Sequence, residues 1–366
     1  MLFKNCTLIL EDHLLPNACL ETTGSRISRV SARCCEEDGI DLKGMYLAPG
    51  FVDIHCHGSP QHWFFDEPAS AAQWHLERGT TSLLCSMWRN AGAYSFDKSF
   101  ENVRAAMGED SPIRGIHMEG PYLDPQYGSE GGSPWPIDKE EYTRWIANAG
   151  DLIRQWCFDP MQPGAKDFAV AVQDAGIPLA VCYSKATPEV LEQYINYGLR
   201  IGGHILCGSG NPKPMFGGTR EPGSDQFVLC DDRMTAEVIA DSLGGHVRPY
   251  YLKFIYKCKG PDRIALVSDC CAGGETMGSD VNIIDGVLYG SQLSLSVAIR
   301  NMRKHTNVGL VELIKMVTAT PAKTVGLYDS RGSLSVGKAA DLVVLDQSLK
   351  VRGVVLEGKL IHIDLS

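Results

Sequence analysis

The chain has 366 residues, 44% of them hydrophobic and 21% charged, an ordinary globular mixture with enough apolar material for a large core. Its net charge of −10 disfavours non-specific nucleic-acid binding, which rests on neutralising phosphates with Lys and Arg. No apolar run approaches ~18 residues, so no membrane span is expected, and Glu11 and Asp12 interrupt the apolar run that follows Met1, so no secretory signal is expected.

In chain order, short β-type runs come first, at Cys6–Leu10 and Ile27–Val30, separated by polar turns such as Glu36-Glu37-Asp38. The pattern then changes. Apolar runs that suit strands fall at Phe51–Ile54, Thr81–Cys85, Ile113–Met118, Ile153–Phe158, Leu179–Cys182, Leu199–Ile201, Val238–Leu243 and Ile264–Val267. Helical patterns separate most of them, at Ala71–Arg78, Phe96–Met107, Lys139–Ala149, Lys166–Ala175, Pro188–Tyr197 and Pro249–Lys257. Eight strands with intervening helices over about 250 residues is the arithmetic of an α/β fold of the (β/α)8 TIM barrel type. A doubly wound sheet is the competitor, but no Gly-x-Gly-x-x-Gly follows the first strand. The Gly- and Pro-rich stretch Cys207–Gln226 reads as an active-site loop. Beyond Gly332 the β pattern returns, at Asp341–Leu345, Val351–Leu356 and Leu360–Ile363. Neither end can close a core alone. A small β-sandwich formed by both termini, residues 1–48 with 328–366, is therefore expected beside a barrel of residues 49–327.

Thirteen cysteines are scattered along the chain, and the adjacent pairs Cys34-Cys35 and Cys270-Cys271 suit neither a disulfide framework nor a Cys-x-x-Cys zinc site. Reduced thiols in a cytoplasm are the simplest reading.

The strongest local signal is His55-Cys56-His57 at the end of the first expected barrel strand. Residues i and i+2 of a strand share a side, so the two imidazoles project together and can bind one cation. Other polar residues fall at the corresponding ends of later strands: Glu119 after the third, His204 after the sixth, His246 after the seventh and Asp269 after the eighth. That rim is where barrels carry their catalytic residues. His117 shares the side of Glu119 and reads as a hydrogen-bonding support. His13, His62, His75, His305 and His362 read as surface or core packing, and Cys56, Cys207, Cys270 and Cys271 as small packing residues.

This layout resembles the amidohydrolase superfamily, and within it the N-acetylglucosamine-6-phosphate deacetylases, over nearly the whole chain. Pro49–Gly58 looks like the family's opening metal motif, and His117-Met118-Glu119-Gly120-Pro121 is close to its His-Leu-Glu-Gly-Pro signature. Arg220-Glu221-Pro222-Gly223 matches a segment of its substrate loop. Ala319-Thr320-Pro321-Ala322 and Gly337-Lys338-Ala339-Ala340-Asp341-Leu342 match C-terminal signatures that recur across the superfamily. The resemblance implies Glu119 and His204 as metal ligands, with His55 and His57 the pair that some members keep. It implies Asp269 as the catalytic carboxylate, Arg220 as the phosphate-binding arginine and His246 as a substrate contact. The expected activity is metal-dependent hydrolysis of an amide, removing acetate from an N-acetylated amino-sugar phosphate. The expected cofactor is a divalent metal, zinc, as one or two ions. The expected assembly is a cytoplasmic homodimer in which the neighbouring subunit helps to close the phosphate pocket, with neither nucleic acid nor membrane as a partner.

Two departures from the family touch the chemistry. Cys182-Tyr183-Ser184 stands where Gly-His-Ser is usual, so a neutral phenol replaces an expected histidine ligand. Retention of His55 and His57 then moves the expected metal onto His55, His57 and Glu119, with His204 nearby or completing a second site. Gly131-Gly132-Ser133 replaces Gly-Ala-His, whose histidine orients the substrate carbonyl, so the metal must supply more of the oxyanion stabilisation. The competing functions are the same chemistry on another N-acyl substrate and a non-catalytic sugar-phosphate sensor. Cyclic-amide members commonly place a metal-bridging lysine after the fourth strand, where Phe158-Asp159-Pro160 offers none.

Overall fold

The computed structural model describes residues 1–33, 38–88, 94–128, 134–276 and 278–366. Cys34-Cys35, Glu36-Glu37 and Gly131-Gly132-Ser133, singled out above, lie outside the described residues.

Eight parallel strands lie side by side in chain order: Phe51–Cys56, Thr80–Trp88, Ile113–Glu119, Ile153–Phe158, Leu179–Val181, Leu199–Gly202, Thr235–Ile239 and Ile264–Val267. Just past the eighth, the Asp269 N–H donates to the His55 carbonyl of the first at 2.9 Å, which draws the two edges of the sheet together into a barrel. Every residue of the fifth and eighth strands is buried, the uninterrupted apolar pattern of strands covered on both faces. The helices carry the other period. In Lys139–Ala149 the buried positions are Tyr142, Trp145 and Ala149, and Asp138 caps the first turn by accepting the Glu141 N–H at 3.0 Å. Among the described residues, no helix is long and apolar enough to cross a membrane.

A second eight-stranded sheet combines both ends of the chain. Tyr46–Pro49 lies between Leu2–Ile9 on one side and Leu342–Leu345 on the other, so residues some 300 apart in sequence share one surface. Phe3, Leu8, Leu20, Ile27, Leu47, Leu342 and Val355 build a core there, distinct from that of the barrel. A partly buried ionic group joins the two layers: Arg331 bonds Asp341 at 2.7 Å and Glu357 at 3.2 Å, and Arg114 of the third barrel strand reaches Glu357 at 3.1 Å. The crossing between layers is tight. A Cβ on Gly50 would come within 2.0 Å of the Thr81 hydroxyl, so only glycine fits between Pro49 and the first barrel strand.

Two sequence expectations are corrected. The seventh strand is Thr235–Ile239, not Val238–Leu243, because the Asp241 carboxylate accepts the N–H groups of Leu243, Gly245 and His246 at 3.0, 2.8 and 2.9 Å and turns the chain. Leu243 is left 59% exposed on that turn. The loop expected over Cys207–Gln226 ends early, because the helix Ser224–Cys230 starts inside it.

Candidate metal centre and active site

Three barrel strands end in the same way. Tyr183, His204 and Asp269 follow the fifth, sixth and eighth strands with φ of 46°, 23° and 50°, left-handed conformations that non-glycine residues seldom hold. Each breaks its strand at the barrel mouth, and such outliers gather where surrounding structure over-determines them.

Under that rim, among the described residues, His55, His57 and Glu119 offer donor atoms that all lie within 4.8 Å of one another. Glu119 is the hub: its oxygens lie 3.4 Å from His55 Nε2, 3.2 Å from His57 Nε2 and 2.8 Å from His204 Nε2. Asp269 Oδ1 approaches two of these three imidazoles, at 3.6 Å from His55 and 3.2 Å from His57. His55 Nε2 is buried with no hydrogen-bond partner. Two imidazole nitrogens aimed at two carboxylates suit a divalent cation, and the orphaned Nε2 is the lone pair that such an ion uses.

The protonation of the group reflects this crowding. Burial alone would pull the His57 pKa down, but bonds to Asp269 and Glu119 push it up to about 9. Burial likewise opposes charge on Glu119, yet His55, His204 and His57 hold that carboxyl well below the usual range. Burial also opposes charge on Asp269, but His57 and His55 together outweigh it and lower its pKa. Metal uptake therefore has to release protons from the imidazoles.

The hollow above these groups is walled by Trp63, Trp88, Tyr127, Tyr183 and Tyr289. Tyr183 packs against His204, with ring centroids 4.8 Å apart. Burial, with Glu119 and Asp269 nearby, holds its phenol well above its ordinary pKa, so it stays protonated and is a poor metal ligand. The ring edge has its space because position 208 is glycine, where a Cβ would come within 2.5 Å of it.

The remaining candidates lie outside this hollow. His246 bonds Asp241 at 3.1 Å and leaves a buried Nε2 without a partner. Arg220 is exposed and lines a separate hollow with Asn211, Lys213 and Glu221. His117 is held between the Ser86 hydroxyl at 2.9 Å and the Cys157 thiol at 3.2 Å. Sequence reasoning missed Glu237, fully buried on the seventh strand, whose Oε2 lies 2.8 Å from His55 Nδ1. The signal was a lone acidic residue in the apolar run Thr235–Ile239.

His75 supports the loop after the metal motif. It is fully buried and its Nε2 bonds the Gly58 carbonyl at 2.8 Å, while Nδ1 has no partner. Protonating it would bury an unsatisfied N–H, and burial lowers its pKa from 6.5 to about 4. In that window the unfolded chain binds a proton that the folded chain refuses, so stability falls as the pH drops from 6.5 to about 4. The loss assigned to this one group is about 3 kcal/mol. Urea denaturation across that range should show His75→Gln losing less stability than the parent; equal losses would refute the assignment.

Comparison with known proteins agrees with this geometry. An Amidohydrolase family model matches residues 259–361. The N-acetylglucosamine-6-phosphate deacetylase of Lysinibacillus sphaericus is 28% identical over 88% of this chain and 87% of its own. The N-acetylgalactosamine-6-phosphate deacetylase of Escherichia coli O157:H7 is also 28% identical, over 86% and 87% of the two chains. The solved structure of an Asp-to-Ala variant of the Mycobacterium smegmatis N-acetyl-D-glucosamine-6-phosphate deacetylase, in complex with N-acetyl-D-glucosamine-6-phosphate, superposes with a TM-score of 0.86. It covers 99% of both chains at 25% identity. This chain has the amidohydrolase fold. It is similar to the N-acetylglucosamine-6-phosphate deacetylases through the terminal sheet as well as the barrel, and the fold places a donor set for a divalent metal at the barrel's C-terminal rim.

Proposed function

We propose that this amidohydrolase-fold chain is a metal-dependent amide hydrolase that removes acetate from an N-acetylated amino-sugar 6-phosphate. The observation that carries the reading is the convergence of His55, His57, Glu119 and Asp269 in a chain similar to deacetylases over most of its length. His55, His57 and Glu119 would hold the ion, which we take to be zinc, with His204 beside it through Glu119. When bound, a divalent ion there polarises the amide carbonyl and acidifies a water molecule. Asp269, kept ionised by His57, accepts the proton of the attacking water and delivers it to the departing amine, which leaves poorly without it. The aromatic walls exclude bulk water and offer flat faces to a sugar ring. A cytoplasmic homodimer, with residues 1–48 and 328–366 as one domain and 49–327 as the other, completes the proposal.

Arg220 is proposed to grip the phosphate, with His246 contacting the sugar. The separation of Arg220 from the aromatic hollow favours one second reading, hydrolysis of a different, unphosphorylated N-acyl compound. Acetate release from zinc-loaded protein with N-acetylglucosamine 6-phosphate and with N-acetylglucosamine separates the two. Charge-assisted bonds contribute about 1.5–3 kcal/mol, so Arg220→Ala should raise KM for the phosphorylated sugar about 10- to 100-fold and leave the other sugar unaffected. Equal KM values for parent and variant would favour the second reading.

A further inference from the structure

Glu237 has no part in the roles assigned so far, yet it ties several barrel strands together. From the seventh strand it reaches three others: His55 on the first at 2.8 Å, Gln155 on the fourth at 2.5 Å, and the His204 backbone N–H past the sixth at 3.4 Å. It is fully buried, as are His55 and Gln155. A carboxylate so deep is costly unless its oxygens are bonded, and here Gln155 Nε2 serves Oε1 while His55 Nδ1 is the nearest partner of Oε2.

That contact decides which imidazole nitrogen carries the proton. Glu237 Oε2 is the acceptor in this 2.8 Å contact, so His55 presents Nδ1–H to it. Nε2 is then the nitrogen left to face a metal ion once its proton is released, and it is this atom that is buried without a hydrogen-bond partner beside Glu119 and Asp269. The geometry points to Glu237 as a positioning residue that fixes the tautomer and ring orientation of His55 and so tightens metal binding at His55, His57 and Glu119. This rests on the proposed metal role of His55. The carboxylate never touches the ion or the substrate. It acts through the imidazole, making the ligand more basic and holding its ring still.

The surroundings make Glu237→Gln a mild change. Glutamine still offers an oxygen to His55 Nδ1–H, and its new amide nitrogen faces Gln155, whose own buried oxygen lacks a partner and can turn to accept it. What is removed is the negative charge. The test is zinc affinity of the metal-free protein by competition with a chromophoric chelator, without substrate. Glu237→Gln should bind zinc about 10- to 100-fold more weakly, with an unchanged melting temperature of the metal-free form. At saturating zinc, turnover should return to within about threefold of the parent, the pattern expected of an outer partner rather than a ligand. Nitrogen-15 imidazole spectra of the zinc-loaded parent provide a reading that needs no variant: His55 should carry its proton on Nδ1.

Zinc affinity within about twofold of the parent in Glu237→Gln, alongside a large loss in His55→Ala, would overturn this inference alone. Undiminished binding in His55→Ala would overturn the metal site and this inference together. A proton on Nε2 of His55 in the zinc-loaded parent would also defeat it.

Discussion

Asp269→Asn is expected to lower kcat for acetate release about 1,000-fold, within the 10²–10⁴-fold that a positioned proton-transfer group contributes. The backbone around this residue is fixed from both sides. Its N–H donates to the His55 carbonyl at 2.9 Å, and its carbonyl accepts the Ser291 N–H at 2.8 Å. Asparagine has the same shape and tolerates the left-handed φ of 50° found here, so the substitution leaves the turn intact. It removes the carboxylate's negative charge and with it the capacity to take and return a proton. Metal content by elemental analysis and KM are expected to stay close to the parent, which separates a lost base from a lost ligand or a collapsed pocket. A variant that keeps more than about a tenth of the parent's kcat would assign the base to another residue.

The barrel was legible because its strands are covered on both faces. Ile264–Val267 is a continuous apolar run, Ile153–Phe158 is one broken only by Arg154 and Gln155, and the ends of both in the structure are those the pattern marks. The pairing of His55 with His57 was legible for an equally local reason, the two-residue period of a strand. The seventh strand failed because the reading ran through Asp241 and Ser242 to Leu243, whereas Asp241 ends the strand by capturing three backbone N–H groups. That error hid Glu237, which falls just before the run as it was read. The place of Arg220 was illegible for a different reason. No periodicity sets the path of a long loop, and its motif carries chemistry without position. Tyr183 was visible as a departure, but whether it turned towards the site depended on space that Gly208 supplies from another strand's end.

Metal-free protein titrated with zinc is expected to take up one ion per chain rather than two, and Glu119→Gln to abolish that uptake. Glu119 faces three histidines, so its charge both completes the donor set and keeps those imidazoles together. Without it the ion loses a ligand, and affinity should fall by more than the 10- to 100-fold typical of an outer partner. The imidazoles lose their countercharge as well. In the metal-free variant the His57 pKa should therefore drop from about 9 towards its ordinary value, a shift that proton NMR resolves. The limit of one ion follows from Tyr183. A second ion would need ligands beside Glu119 and His204, and there the protonated phenol ring is packed against His204 with Gly208 closing behind it. Binding of two ions per chain would show that the tyrosine yields or ligates, and His204 would then belong to a second site. Zinc retained at parental affinity by Glu119→Gln would remove the ion from this cluster altogether. Tyr183→His supplies the converse: with an imidazole in place of the phenol, a second, weaker zinc equivalent should appear.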